Sequence, residues 1–271
     1  MPELPEVETT LRGITPLIEK QKVDKINIYN PSLRWPIDLS IIKQLKNKTL
    51  VSTERRAKYL LLHFKHGTLI IHLGMSGSLR VVSQKTPLEK HDHFEIIFSN
   101  KKTLRLRDPR RFGSVLWTQD NWQEHKLIAS LGPEPFDVLF TAKYLHQKSR
   151  KRNVAIKSFI MDSHIVVGVG NIYASESLFL ANIHPTQAAK KISLRRFEVL
   201  VTAIQKILQQ AIEQGGTTLK DFSSPDGKPG YFAQKLTVYG RKDLPCMQCG
   251  HPIKQRVINQ RATYYCTHCQ K

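Results

Sequence analysis

The chain has 271 residues, of which 40% are hydrophobic and 24% charged, a composition typical of a globular protein of about two domains. Lysine and arginine number 42 against 22 aspartates and glutamates, so the formal net charge is +20. This excess favours a polyanionic partner, most simply nucleic acid, with membrane-surface binding or a merely solvated basic surface as the alternatives. No apolar run approaches the roughly 20 residues of a membrane helix, and the acidic N-terminus lacks the pattern of a secretory signal.

The first segment, MPELPEVETT, is acidic although the protein is basic. Pro2 and Pro5 suit the first turn of a helix, and apolar residues follow at helical spacing, so we predict a helix over residues 3–19. Glutamates in its first turn complement the helix dipole. Removal of Met1 would also give Pro2 a secondary amine, a nucleophile that can form an imine with an opened sugar. The two interpretations use the same residues, and both stay open at this point.

Short β-rich segments punctuated by turn signals follow between Lys22 and about Thr118. They are KVDKINIYN, YLLLHF, TLIIHLGM, SLRVV, HFEIIF and TLRLR. This half of the chain is predicted to be a β-sandwich or barrel with a leading helix.

The segment LGPEPFD (131–137) interrupts the pattern and is interpreted as an interdomain linker. Helical patterns come after it, over 141–149, 155–161, 171–181 and a long helix from Ser193 to the Gly215–Gly216 stop. The segment 223–234 is rich in glycine and proline and is predicted to be a mobile loop.

The four cysteines form two C-x-x-C pairs separated by sixteen residues, Cys246, Cys249, Cys266 and Cys269. This spacing predicts two knuckles that hold one zinc ion through four thiolates. Four protein ligands leave no open position, so the zinc is expected to be structural. His251 and His268 are interpreted as surface residues. Metal binding rather than a disulfide framework favours the cytoplasm.

The glycines of VVGVGNIYASE resemble a dinucleotide fingerprint only poorly, because Tyr173 replaces the third glycine and no βαβ pattern surrounds them. A tight turn before a helix that starts at Asn171 fits better. Backbone N–H groups at such a start can bind a phosphate, although an ordinary helix cap would look the same.

Two turns of the β-rich half combine large apolar side chains with arginines, GMSG around Met75 and RLRDPRRFG around Phe112. Such residues can enter a base stack that a nucleotide has left, although each one alone is more often part of a core. In the second motif Arg105 and Arg107 share one face of a strand. His91 and His93 are weak evidence for a metal site.

Many motifs occur in the order known from one enzyme family: PELPEVE, RRAKYL, HLGMSGSLR, EKHDH, DPRRFG, LGPEP, VVGVGNIYASE, GGTTLKDF, DGKPGYF and the four-cysteine tail. From residue 2 to the C-terminus the chain resembles bacterial formamidopyrimidine-DNA glycosylases. The resemblance implies an α+β multidomain fold, with a leading helix and β-sandwich over 2–130, a linker over 131–140, a helical domain with a helix-two-turn-helix over 141–236, and a zinc-finger β-hairpin over 237–271.

The activity that the resemblance implies is base-excision repair. The enzyme would remove oxidised purines, 8-oxoguanine and formamidopyrimidines, and then cleave the strand by β,δ-elimination. Pro2 would be the Schiff-base nucleophile, Glu3 the general acid and base, Lys58 a proton donor near the lesion phosphate, and Arg261 the residue of the second elimination.

Further roles follow from the same resemblance. The DNA contacts and the residues that fill the gap in the helix would be His91, Arg110, Arg152, Asn171, Met75, Phe112, Lys157 and Tyr239. The lesion pocket would be bordered by Glu6, Thr217, Thr218 and Tyr231, with Lys157 beside it. In the run KSRKRN the assignment of Arg152 can shift by a residue.

The implied partner is damaged double-stranded DNA, bound by a monomer in the bacterial cytoplasm and nucleoid. One structural zinc is expected, without a catalytic metal or organic cofactor. Two other functions stay open: a non-catalytic zinc DNA-binding regulator, and an endonuclease VIII-type enzyme for oxidised pyrimidines.

Overall fold

The computed structural model of the chain describes residues 2–217 and 235–271. These residues form two compact units, 2–129 with 214–217, and 130–213 with 235–271. The first is a helix with two antiparallel sheets, and the second is helical with a cysteine-bearing hairpin. The predicted fold class is thereby confirmed. Within the described residues, no helix has both the length and the apolar character that crossing a bilayer requires.

The first unit begins with α1 and builds two four-stranded sheets, in the orders β1-β6-β7-β5 and β2-β3-β4-β8. Every neighbouring pair of strands is antiparallel. The elements described in this unit are α1 (Leu4–Ile18), β1 (Val23–Ile28), α2 (Ile41–Leu45), β2 (Leu50–Arg56), β3 (Tyr59–Phe64), β4 (Gly67–His72), β5 (Ser78–Ser83), β6 (Asp92–Phe98), β7 (Lys102–Arg107) and β8 (Ser114–Thr118).

The core of the first unit lies between its two sheets and is completed by α1. Val7, Ile14 and Ile18 recur at helical spacing, and they are fully buried against strand residues of both sheets. Two strands and one helix were not expected from the sequence. Of these, β2 (LVSTERR) is polar and only half-buried, so it lacks the apolar alternation that identifies a strand.

The second unit is built on helices, the longest of 20 residues, with the zinc-finger hairpin beside them. Its helices and strands are α3 (Ala142–Ser149), α4 (Ile156–Ile160), α5 (Asn171–Leu180), α6 (Leu194–Glu213), β9 (Lys254–Ile258) and β10 (Arg261–Tyr265). The apolar stripe of α6 is buried, whereas α5 is buried on nearly all sides.

Two chain segments bear on the predicted domain limits. The segment 131–137, interpreted as a linker, is hydrogen-bonded within the second unit, for example from the Val167 N–H to the Pro133 carbonyl (3.1 Å). Residues 214–217, predicted as part of the helical domain, belong instead to the first unit. The physical reason is that the Thr217 N–H donates to the carboxylate of Glu6 in α1 (2.7 Å).

A buried ion network joins β6 and β7, the two inner strands of the first sheet. Arg105, in β7, is 3% exposed and donates to Glu95 Oε2 (2.9 Å) and to the carbonyls of Thr86 and Pro87. Asp92 lies 3.5 Å away on the same guanidinium. Arg105 is therefore a structural residue, and only Arg107 of the predicted pair is substantially exposed.

Replacing Arg105 with alanine should destabilise the first unit by about 3–5 kcal/mol, because the buried carboxylate of Glu95 loses its counter-ion and Asp92 keeps only Arg80. Urea unfolding measures this change. The matched control is Arg107→Ala, whose side chain is 37% exposed and whose loss should cost less than about 1 kcal/mol. Equal losses in the two variants would contradict the assignment.

Candidate active site and nucleic-acid interface

The start of α1 is buried and closed by its own glutamates. Pro2 and Glu3 are buried, and Glu3 is the N-cap of a capping box, in which its carboxylate accepts the N–H of Glu6. The Glu6 carboxylate accepts the N–H of Glu3 (2.8 Å) on one oxygen and the N–H of Thr217 (2.7 Å) on the other. Glu3, expected to act in the chemistry, and Glu6 and Thr217, expected to border the lesion pocket, therefore lie within one hydrogen-bonded group.

Gly216 allows this close approach. Its backbone has φ +80°, and a side-chain Cβ there would lie 3.0 Å from the nearer Glu6 oxygen. Glycine is therefore needed both for the left-handed backbone and for the space beside the carboxylate.

Lys58 lies on the turn between β2 and β3. Ala57 takes the left-handed conformation (φ 56°) that lets two residues connect the strands. Arg55 holds this turn against α1, because its guanidinium donates to Glu8 (2.7 Å) and to the Ala57 carbonyl (3.0 Å). Burial alone would raise the pKa of Glu8, but hydrogen bonds from Arg55 and Arg12 lower it.

His72, at the end of β4, is a neighbour of Lys58 that the sequence did not single out. Burial, followed by the positive charges of Lys58 and Arg34, lowers the pKa of His72 to about 4. The neutral ring stacks at a tilt on Tyr59, and its Nδ1 accepts the N–H of Gly74 (3.0 Å). His72 therefore fixes the start of the turn that carries Met75.

The expected gap-filling side chains lie on two turns of the first unit. Met75 is half-buried between Gly74 and Gly77, and Phe112 is 43% exposed. The Arg110 guanidinium lies over the Phe112 ring at 4.8 Å. The structure thus brings the cation and the aromatic ring together as one projecting group.

Lys157, which the resemblance places beside the flipped base, is buried within the second unit. Its side chain is 1% exposed, and Nζ donates to Asn171 Oδ1 (2.6 Å), Thr263 Oγ1 (2.8 Å) and the Ala262 carbonyl (3.2 Å). Lys157 therefore joins α4, the start of α5 and the zinc-finger hairpin. Its ammonium group acts as a buried hydrogen-bonding cross-link between these elements.

Asn171 is oriented by this cross-link. Because Lys157 binds the amide oxygen, the amide nitrogen faces the Ala262 carbonyl (3.1 Å) and the Tyr239 hydroxyl (3.4 Å). Tyr239 is in turn held by Glu176, a buried carboxylate of α5 that accepts the N–H groups of Thr237, Val238 and Tyr239. Sequence reasoning missed Glu176; the available signal was a lone acid in the apolar helix NIYASESLFL.

Arg261 is exposed at the end of the hairpin β9–β10. Asn259 and Gln260 connect the strands with φ 46° and 59°, the combination of a type I′ turn. Asn259 donates to Ser158 (2.8 Å). The hairpin tip is therefore fixed to α4 of the same unit, which gives Arg261 a defined position.

The four cysteines are brought together as predicted, with all Sγ atoms within 4.8 Å of one another. The pairs Cys246–Cys269 and Cys249–Cys266 are 3.9 and 3.5 Å apart. Four sulfurs at about 2.3 Å from a tetrahedral zinc would be about 3.8 Å apart, so the donor set fits the ion. His251 and His268 are exposed and stacked on each other, as expected of surface residues.

Of the remaining predicted residues, two are wholly or partly exposed and two lie outside the part of the chain that the structure describes. Arg152 is exposed, whereas its neighbour Arg150 donates to the carbonyls of His146 and Ile192. His91 is half-buried, and burial followed by nearby cations lowers its pKa. Thr218 and Tyr231 lie outside the residues that the structure describes.

Three family models match the chain: the formamidopyrimidine-DNA glycosylase N-terminal domain over residues 1–115, the H2TH domain over 131–223, and the zinc finger found in FPG and IleRS over 243–271. Formamidopyrimidine-DNA glycosylases of Hydrogenovibrio crunogenus and Marinobacter nauticus are 58% and 53% identical to it over 271 residues. These alignments cover all of this chain, and 97% and 100% of the relatives.

The chain belongs to the formamidopyrimidine-DNA glycosylase family. Solved structures agree. A Lactococcus lactis Fpg variant in complex with DNA containing Fapy-dG is 34% identical and covers 100% of both chains at a TM-score of 0.91. A Lactococcus lactis formamidopyrimidine-DNA glycosylase bound to DNA with an abasic site is 33% identical, at a TM-score of 0.90 over 99% of both chains.

Membership of the formamidopyrimidine-DNA glycosylases confirms the predicted class of enzyme, a DNA glycosylase and lyase of base-excision repair. The predicted zinc-binding cysteine cluster agrees with the zinc-finger family model, and the two solved relatives were determined with DNA that contains Fapy-dG or an abasic site. Zinc bound there would fix the two knuckles and hence the hairpin that carries Arg261.

Replacing His72 with asparagine should flatten the dependence of stability on pH. Above about pH 6.5 the histidine is neutral in both the folded and the unfolded protein. Between pH 6.5 and 4 only the unfolded chain binds the proton, so the free energy of unfolding decreases as the pH is lowered. His72→Asn keeps an acceptor for the Gly74 N–H and should remove about 1–3 kcal/mol of this loss. Urea unfolding between pH 7 and 4.5 measures it.

The control is the exposed His66→Asn, whose pH dependence should follow the wild type. Equal slopes for all three proteins would contradict the role of His72.

Lys157→Met should weaken binding of damaged duplex by about tenfold and lower stability by about 2–4 kcal/mol, because three buried acceptors lose their shared donor. Fluorescence anisotropy and thermal unfolding measure the two effects. Lys151→Met is the matched control, since it removes an exposed charge of the same unit and should leave stability unchanged within about 0.5 kcal/mol. A Lys157→Met protein as stable as the control would refute the cross-link.

Proposed function

We propose that this enzyme excises oxidised purines, 8-oxoguanine and formamidopyrimidines, from duplex DNA and cleaves the strand through a Schiff base on Pro2. The observation that carries the proposal is the buried start of α1, where Pro2 directly precedes Glu3 and Glu3 is held by the capping box with Glu6. Fixing a nucleophile and a proton carrier in one place is how an enzyme lowers the entropic cost of attack.

The chemistry requires that Met1 be removed, which turns the Pro2 nitrogen into a secondary amine. Its lone pair attacks C1′ of the lesion nucleotide, the bond from C1′ to the base breaks, and the base leaves with a proton. The sugar ring opens to an iminium ion, which acidifies the C2′–H. Loss of that proton expels the 3′ phosphate, and a second elimination expels the 5′ phosphate. An α-amino group titrates near pH 8, so a useful fraction is neutral at pH 7.

Proton transfer is assigned to residues that the fold holds in place. Glu3 would exchange protons with the base and the opened sugar, Lys58 would donate near the lesion phosphate, and Arg261 would assist the second elimination. The turn of Lys58 is pinned by Arg55, and that of Arg261 by the type I′ turn and Asn259.

DNA binding is assigned to basic and polar side chains of both units. The high positive charge supports phosphate binding that weakens with salt. Met75, Arg110 and Phe112 would fill the gap left by the flipped nucleotide, which costs a few kcal/mol to extrude. The phosphate contacts are assigned to His91, Arg152, Asn171 and Tyr239, and the lesion pocket to Glu6 and Thr217. We infer a monomer that acts in the cytoplasm on the nucleoid.

Borohydride trapping on a duplex with 8-oxoguanine opposite cytosine tests the nucleophile. Replacing Pro2 with glycine, or retaining Met1 as verified by intact mass, should reduce the covalent complex at least about tenfold, because the secondary amine is altered or blocked. Pro5→Ala, in the same helical turn, should trap normally. Unchanged trapping with Met1 present would exclude Pro2.

The same duplex, compared with one that contains thymine glycol, separates the alternative functions. A non-catalytic regulator would bind it and leave the base in place. An enzyme of the endonuclease VIII type would release thymine glycol faster than 8-oxoguanine, whereas this enzyme should show the opposite preference.

A further inference from the structure

The two turns that carry the gap-filling residues are joined by a buried carboxylate that the mechanism does not use. Asp108, in DPRRFG, is 0% exposed. One of its oxygens accepts the Ser76 hydroxyl (2.9 Å), and the other accepts the N–H of Gly113 (2.7 Å). Ser76 belongs to the Met75 turn, whereas Asp108 and Gly113 bound the Arg110–Phe112 turn.

Ser76 links the turns in the other direction as well. Its hydroxyl, 6% exposed as a residue, accepts the N–H of Arg110 (3.2 Å) while it donates to Asp108. Both hydrogen-bonding directions of the hydroxyl are thus used across the gap between the turns. The side chain of Ser76, the residue after Met75, thereby holds the backbone of Arg110.

The turns are also in backbone contact. A Cβ on Gly74 would lie 2.4 Å from the carbonyl carbon of Phe112, and one on Gly113 would lie 2.8 Å from the His72 carbonyl oxygen. Within its own turn, Gly77 donates to the Leu73 carbonyl (2.9 Å), which closes the loop around Met75. The absence of side chains at these glycines lets the two turns pack as a single block.

We propose that Ser76 and Asp108 are positioning residues that hold Met75, Arg110 and Phe112 as one rigid three-pronged group before DNA binds. The inference rests on the proposed function, because it needs those three side chains to fill the gap left by the extruded nucleotide. Because these side chains are already ordered in the folded protein, little conformational entropy is lost when they enter the gap in the base stack.

The predicted effect is confined to the extrusion step. Ser76→Ala removes the donor to Asp108 and the acceptor for Arg110, which should slow extrusion about tenfold while leaving the chemistry on an already exposed sugar unchanged. Asp108→Asn keeps one acceptor oxygen and should slow extrusion by a similar or smaller factor. Because both residues act through one network, the double variant should be about as slow as the slower single variant.

Extrusion is followed by stopped-flow fluorescence of 2-aminopurine placed beside 8-oxoguanine in a duplex. Chemistry without extrusion is followed by borohydride trapping on a single strand with an abasic site. Ser114→Ala is the matched control: this serine adjoins Gly113, is 1% exposed, and its hydroxyl has no hydrogen-bond partner among the described residues. It should match the wild type in both assays.

A slower duplex signal with normal trapping, for Ser76→Ala or for Asp108→Asn, supports the inference. Equal extrusion in Ser76→Ala, Asp108→Asn and Ser114→Ala overturns it, and so does an equal loss in both assays, which would indicate a general loss of structure. Additive effects in the double variant overturn the shared network. If the wild type itself traps neither substrate, the proposed function fails first and the inference with it; if the wild type traps both, a negative result concerns the positioning residues alone.

Discussion

The Glu6 carboxylate is the constraint on which the candidate active site depends. It accepts two backbone N–H groups, one from Glu3 and one from Thr217, and thereby joins residues far apart in the sequence. An uncapped helix start would leave its first N–H groups without partners in a buried place, which is costly. The same bonds that satisfy the helix hold Glu3, the residue that directly follows Pro2. Stability and chemistry therefore make the same demand on PELPEVE, and neither use excludes the other.

Elsewhere too, the protein fixes functional turns with buried charged or polar side chains that accept or donate several bonds. Glu176 orders the segment before Tyr239, Lys157 orders Asn171 and the zinc-finger hairpin, and Arg55 orders the turn of Lys58. Each of these groups is costly to bury alone and inexpensive when its bonds are complete. Because the residues that would touch DNA lie on turns, this arrangement gives rigidity to parts of the chain that apolar packing does not reach.

Much of this could be predicted from the sequence where a signal is local. Three features can each be read from a short segment of sequence, and the structure contains all of them: the apolar spacing of α6, the capping pattern of α1 and the two C-x-x-C pairs. Lys157 could not be assigned in this way: an isolated lysine looks like a surface cation, and only the tertiary fold brings the Thr263 hydroxyl and the Ala262 carbonyl to it. The polar strand β2 was missed because its pairing with β3, not its composition, makes it a strand.

The net charge of +20 also separates into two parts with different physical roles. Arg105 and Lys157 are buried and compensated by carboxylates or by neutral acceptors, so they contribute to folding and present no charge to a phosphate. Arg110, Arg152 and Arg261 are exposed. Arg110 lies on a turn whose backbone is held by Ser76, and Arg261 begins β10 directly after the type I′ turn. Composition alone overstates the charge available to DNA, because it counts both parts. The affinity for a duplex should follow the exposed part, and the precision with which a nucleotide is held should follow the buried part that fixes the turns.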